Sequence, residues 1–327
     1  VILALAVPSI LNGTEVNSDW TLNSDFTGSL EIQGAKDGVR SPLIHLQGHR
    51  LTVNRGGIQI KPYTSAATIY GGVVTSNDTL LRVLSQGTAP YASGSLYIDS
   101  VIADSTHQVG VQFSGGYGIL VFEGHQSNTF TGNVEVYGKT NSLYLNKFNG
   151  AVAVRSNISI DQGKLIFHQN NQLLNTSSVT LKNNATLSYV SLSSYSISNT
   201  FNKLSIENSG IIKFDHKIEN SSNYNPNKYY LYLDDLIISD AGLLTIKDWQ
   251  DGRDFLLVRK TSANLADALT KMAFEGYDRN NIHLRDYNRD YWQISSLPES
   301  TTYGAIISTV GLALAAWQRR RKRPPHG

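Results

Sequence analysis

The chain has 327 residues, no cysteine, 17% charged residues and a formal net charge of +2. Without cysteine there is no disulfide framework, thiolate metal site or cysteine nucleophile. Residues 298–327 alone carry net +4, so removing that from +2 leaves −2 on the rest, a nearly neutral body with no electrostatic footprint for nucleic acid.

Residues 1–12 open the chain with the apolar run Val1 to Ala6, ending Ala4-Leu5-Ala6. This reads as the tail of a signal peptide, with a first β-strand covering the end of the fold as the alternative. From residue 13 to 246 the chain is organised by a repeat of short alternating apolar pairs. One series starts at Leu30, Leu51, Val73, Leu96, Leu120, Leu143, Leu165, Leu187, Ile212 and Leu244. A second starts at Ile58, Leu81, Val111, Val134, Ile158, Val179, Leu204 and Leu236. Most members have a second large apolar residue two positions on, as in Leu96/Ile98 and Val134/Val136, which is strand periodicity with one buried face.

Two strands in every ~22–25 residues predict an all-β chain folded as a parallel β-solenoid of about ten coils. A sandwich would call for hairpin turns every ~8–12 residues, whereas here short and long intervals alternate. Two insertions leave the rod, a larger one around Lys217 to Lys228 and a smaller one at Gln86 to Ser93. Loops on one face of a rod are places where partners bind, although a plain surface excursion with no partner explains both more simply.

Within this body, Asn128-Thr129-Phe130-Thr131-Gly132-Asn133-Val134-Glu135-Val136 leads to Leu143-Tyr144-Leu145-Asn146-Lys147, then Asn171-Gln172-Leu173 and Val179-Thr180-Leu181. The stretch 118–215 resembles the autotransporter-associated β-strand repeat, which implies a right-handed β-helix displayed outside the cell. The residues suggest their own roles. Gly132 would supply a turn with φ > 0, Phe130 would cap the core at a corner, and Asn170 or Asn171 would join a ladder of stacked amides.

Residues 247–296 break the rhythm and are expected to form a C-terminal cap. Trp249 and Asp251-Gly252 precede the strand Phe255 to Val258, Ser262 is an expected N-cap for a helix from Ala263 to Thr270, and a polar segment ends at Trp292. Residues 297–327 then carry Pro298-Glu299-Ser300-Thr301-Thr302, the uncharged apolar run 303–317, and Arg319-Arg320-Arg321-Lys322-Arg323. An apolar segment backed by five cations is what a bilayer orients, cations inward, although ~15 residues fall short of a ~20-residue span.

The tripartite tail resembles the PEP-CTERM sorting signal of Gram-negative bacteria. Pro298, Glu299, Tyr303 and the basic residues Arg319, Arg320, Arg321, Lys322 and Arg323 match, while Ser300 stands where a second proline is usual. The resemblance implies an apolar C-terminal helix held transiently in the inner membrane through residues 303–317. It also implies the export machinery and an exosortase-type membrane protease as partners, and a cell-surface or extracellular destination.

Catalytic, cofactor-binding and metal-ligating residues are not expected. Asp234 and Asp235 are adjacent, so a regular strand would aim them to opposite faces. His45 and His49 lack the helical His-Glu context of a metalloprotease, and Gly115-Gly116-Tyr117-Gly118 lacks the helix that phosphate binding requires. The expected function is that of a structural or adhesive surface solenoid, with exopolysaccharide or another surface glycan as its candidate ligand. The alternative is a β-helix lyase or glycosidase, which would need clustered carboxylates.

Overall fold

The structure, a computed structural model, describes residues 13–34, 41–64, 66–191, 195–216 and 227–296. It is a parallel β-solenoid of about nine turns. The strands form two long sheets, one of 15 and one of 11 strands. In the shorter sheet Leu96, Leu120, Leu143, Leu165, Leu187 and Ile212 stack in register. In the longer one Val111, Val134, Ile158, Val179, Leu204 and Leu236 do the same. All twelve side chains are buried. The cause is the two-residue period: alternate side chains turn into the coil, while each backbone bonds to the coils before and after it.

The N-terminal part of the first series belongs to the other sheet. Leu30 lies beside Ile58, and Leu51 beside Phe26 and Val74, all in the longer sheet, so they do not stack beneath Leu96. The shorter sheet is built there from Trp20–Thr21, Leu43–His45 and Ala67–Tyr70, and Ala67 is the neighbour of Leu96. The reason is the strand Arg50–Ile60, which serves two sides of its coil. Its first part pairs with Val73–Ser76 and its second with Val83–Ser85. Gly57, at φ +74°, lies between them, where a Cβ would meet the Arg82 carbonyl oxygen at 2.7 Å. A period of ~22 residues marks a return to the same point of the coil without saying on which side that point lies. At the other end Leu244 lies beside Gly210 and Ile246 beside Ile212, a shift of two that keeps the buried face.

Corners and connections carry the remaining backbone. Phe130 is fully buried and meets Phe122 edge to face, with centroids 6.3 Å apart, as a corner plug should. Gly132 does not take the expected positive φ and is needed instead for close approach: a Cβ there would meet the Gly110 nitrogen at 2.4 Å. Among the buried amides, Asn128, Gln172 and Asn199 bond backbone groups of neighbouring coils, in place of a ladder built on Asn170 or Asn171. Asn128 Oδ1 accepts from the Ile102 N–H and its Nδ2 donates to the Ala153 carbonyl. Asn199 Oδ1 accepts from the Gln172 N–H, and its Nδ2 donates to the Gln169 carbonyl. Asn171 instead takes a left-handed turn position at φ +53°. These amides satisfy backbone groups where the ladder is interrupted, the condition for burying irregular chain.

Parallel pairing also continues past residue 246. Asp254–Arg259 adds to the longer sheet beside Tyr229–Leu233, and Met272–Phe274 adds to the shorter one beside Leu244–Ile246. Only then does the direction change: Tyr291–Ser296 runs antiparallel to Asp254–Arg259, with Ile282–Asp286 antiparallel at its edge. The extra turn is hidden in the sequence because the helix Leu265–Thr270 lengthens its coil. That helix is capped at Asn264 without a side-chain cap bond. Ser262, the expected cap, donates its hydroxyl to Asp235 at 2.5 Å.

Candidate functional site

Pro298, Glu299, Tyr303, Arg319, Arg320, Arg321, Lys322 and Arg323 lie outside the described residues, as does the apolar run 303–317. Among the described residues no helix is long and apolar enough to cross a membrane, and no three His, Asp or Glu side chains group as metal ligands.

Asp234 and Asp235 do not point to opposite faces. Both are half-buried on the outside, because the alternation of Tyr229–Ile238 breaks at these two residues, where the coil turns a corner. Each holds the following coil: Asp234 pairs with Arg259, and Asp235 accepts from Ser262 Oγ and, at 2.7 Å, from Asn264 Nδ2. His45 stacks on Tyr70, centroids 4.6 Å apart and 3° from parallel, and His49 Nδ1 lies 3.6 Å from Asp25 Oδ1. The turn Gly115-Gly116-Tyr117-Gly118 is a packing device, since a Cβ at Gly116 would sit 1.9 Å from the Gly87 carbonyl oxygen.

The most distinctive outer surface is an aromatic one on the last coils of the longer sheet. Along Tyr229–Ile238, Tyr229, Leu231 and Leu233 turn inward, which leaves Tyr230 and Tyr232 on the outside. Phe255 is the register neighbour of Tyr230 on the next coil, and their rings stack at 4.6 Å and 9°. Tyr230 and Tyr232 stack at 6.3 Å and 14°, so three near-parallel rings form a half-exposed stacked platform. Tyr287 and Tyr291 flank it, 5.8 Å from Phe255 and 5.2 Å from Tyr232 respectively. Cations surround these rings: Lys228 lies over Phe255 at 5.9 Å and Arg259 over Tyr291 at 5.4 Å. Arg259 is neutralised by Asp234, and nearby Lys260 by Asp286. Burial holds the phenols of Tyr230, Tyr232 and Tyr291 above their ordinary range, so all three stay protonated hydroxyl donors. Stacked aromatic rings carrying phenol hydroxyls, beside the paired cations Arg259 and Lys260, suit a ligand with apolar C–H surface and hydroxyl groups. The sequence signal for this platform is the pair of aromatics two apart, Tyr230 and Tyr232, followed one coil later by Phe255.

Three buried ionisable groups, His216, Asp254 and Lys147, lie inside the rod. His216 Nε2 is 2.9 Å from Asp254 Oδ1 inside the rod, its ring tilted on Tyr229 at 4.9 Å. The Asp254 carboxyl is raised by burial, with the His216 contact opposing that rise. The nearby Ser191 hydroxyl donates to the Tyr195 carbonyl at 3.1 Å and accepts from Asn227, contacts that tie this corner together. Lys147 is fully buried and its Nζ has no hydrogen-bond partner.

No family model matches the chain, and neither a curated protein nor a solved structure matches it.

Proposed function

We propose that this chain is an exported, surface-associated β-solenoid with a structural or adhesive role, holding glycan on the platform Tyr230, Tyr232 and Phe255. The observation that carries the reading is the near-parallel stacking of those three rings on the outside of the rod. Aromatic residues kept half-exposed side by side on the outside of the rod fit a surface meant for a partner. A neutral polysaccharide suits it best, because Arg259 and Lys260 already have carboxylate partners.

The remaining parts of the proposal rest on the sequence. The coils wind right-handed, the usual sense of parallel crossovers, and the segment up to residue 296 closes the open end. The tail 297–327 acts as the sorting signal: the apolar run enters the inner membrane, the five cations keep the C-terminus cytoplasmic, and an exosortase-type protease cuts near Pro298-Glu299. Pro298 favours an extended Leu297, which keeps the cut site out of the helix.

A panel of neutral and acidic polysaccharides, scored for both binding and cleavage with the purified chain, tests the reading. Retention of a neutral glycan, lost in Tyr230→Ala and Phe255→Ala, is the expected result. Cleavage of any panel member would replace it with the reading of a β-helix enzyme, and absence of binding would remove the adhesive role.

A further inference from the structure

Two phenols beside the platform have a chemistry of their own, independent of any glycan. The hydroxyl oxygens of Tyr232 and Tyr287 lie 3.4 Å apart, with ring centroids at 6.4 Å and planes at 69°. The ring carbons next to each hydroxyl therefore lie at the same contact. Both side chains are half-exposed. They belong to different parts of the fold. Tyr232 stands on Tyr229–Ile238, where its register neighbour is Leu257 of the next coil. Tyr287 lies in the turn between Ile282–Asp286 and Tyr291–Ser296, the antiparallel pair that ends the longer sheet, and its backbone N–H donates to the Tyr291 carbonyl at 3.3 Å. The contact thus reaches past the strand Asp254–Arg259 and joins the rod to its end hairpin. Asn288, Arg289 and Asp290, the rest of that turn, are exposed, so the turn can shift to bring the rings together without disturbing the core.

Composition decides what an oxidant would meet on this surface. The chain has no cysteine, and its single methionine, Met272, is buried. Sulfur, the readiest target of oxidants, is thus absent from the surface, and no disulfide can staple the end of the rod. We propose that Tyr232 and Tyr287 form a site of oxidative cross-linking, joined as a dityrosine by hydrogen peroxide under peroxidase catalysis. Each phenol O–H gives up one hydrogen atom, and each resulting phenoxyl radical carries spin on the ring carbons beside its oxygen. One such carbon from each ring joins in a C–C bond. Each then loses its hydrogen as a proton while its oxygen regains one, which restores both phenols. Overall two C–H bonds break and one C–C bond forms; the peroxide takes up both hydrogens and leaves as two waters. Burial first, and then the Tyr287 hydroxyl, hold the Tyr232 phenol above its ordinary range, so it stays protonated with a hydrogen atom to give. Other rings are placed less well. Tyr291 meets Tyr232 edge to face at 5.2 Å and Tyr230 stacks on it at 6.3 Å, and neither brings its hydroxyl to that of Tyr232. The product ties residues 55 apart in the chain and constrains the last coil and its hairpin as a disulfide would.

Treatment of the dilute, folded full-length chain with a peroxidase and hydrogen peroxide, followed by intact mass and a tryptic map, tests this. The expected product is a monomer two hydrogens below the sequence mass, with dityrosine fluorescence and a branched peptide joining Tyr232 to Tyr287. Tyr232→Phe and Tyr287→Phe should restore the full mass and remove most of the fluorescence, while Tyr291→Phe should keep the link. Phe preserves each ring and removes only the hydroxyl, circular dichroism checks the fold of each variant, and the wild-type map assigns the pair without them. A folded wild-type monomer of full mass, or one that only gains oxygen, would overturn the proposal. A loss of two hydrogens that maps to another pair or persists in Tyr287→Phe would overturn it as well. So would links formed only between molecules, through Tyr63 and Tyr195, the most exposed tyrosines among the described residues.

Discussion

Replacing His168 by Phe should flatten the acid limb of the stability curve. The ring of His168 packs edge to face on Tyr144, centroids 5.0 Å apart, and its Nε2 is buried without a hydrogen-bond partner. Burial alone depresses its titration from 6.5 to about 4. As pH falls through that window the unfolded chain takes up a proton that the folded chain refuses, so stability present above 6.5 drains away toward 4. At ~1.4 kcal/mol per unit, the loss comes to about 3 kcal/mol once the folded group also titrates. Phe keeps the ring and its contact with Tyr144 but carries no titration. Urea unfolding of both proteins at pH 7 and pH 4, followed by circular dichroism, should give a wild-type loss about 3 kcal/mol larger than that of the variant. Parallel pH profiles would refute the claim that this imidazole is neutral and desolvated in the folded rod.

Leu143→Ala should cost about 2–5 kcal/mol in the same assay, since Leu143 is fully buried between Leu120 and Leu165. Leu143→Asp should cost still more and leave little folded chain. Gln172→Ala strips the partners from both backbone groups of Lys147 and should cost about 2–4 kcal/mol, with faster amide exchange confined to residues near 147 and 172. Gly57→Val forces a β-branched residue to φ +74° against the Arg82 carbonyl and should lower the thermal midpoint, with local exchange rising along Arg50–Ile60.

Much of the rod was legible because its signal is periodic and its core is apolar. The stacks through Leu120 and Val134 follow from positions two and about 22 residues apart, and nothing else in the sequence competes with them. The sidedness of the first coils was not legible. The strand Arg50–Ile60 bends at Gly57 to serve two sides, and a bend leaves the period unchanged. Asp234 and Asp235 failed the simple alternation rule for the same reason, since a corner resets the count of faces. The amides Asn128, Gln172 and Asn199 were invisible as a set because a lone Asn or Gln looks like a turn residue until its backbone partners are known. The aromatic platform needed the register itself: Tyr230 and Phe255 are 25 residues apart in the chain and become neighbours only once coils are counted. The sorting role proposed for Pro298 to Arg323 rests on the order of motif, apolar run and cations alone, and these residues lie outside the described part of the structure.

Protease shaving of intact cells tests the proposal that this rod works outside the cell once its tail has been removed. Mass spectrometry of the released material should find peptides from residues 13–296 in the shaved fraction and a native C-terminus close to Pro298. Recovery of the rod from the cytosol alone, with Arg319 to Arg323 still attached, would contradict it.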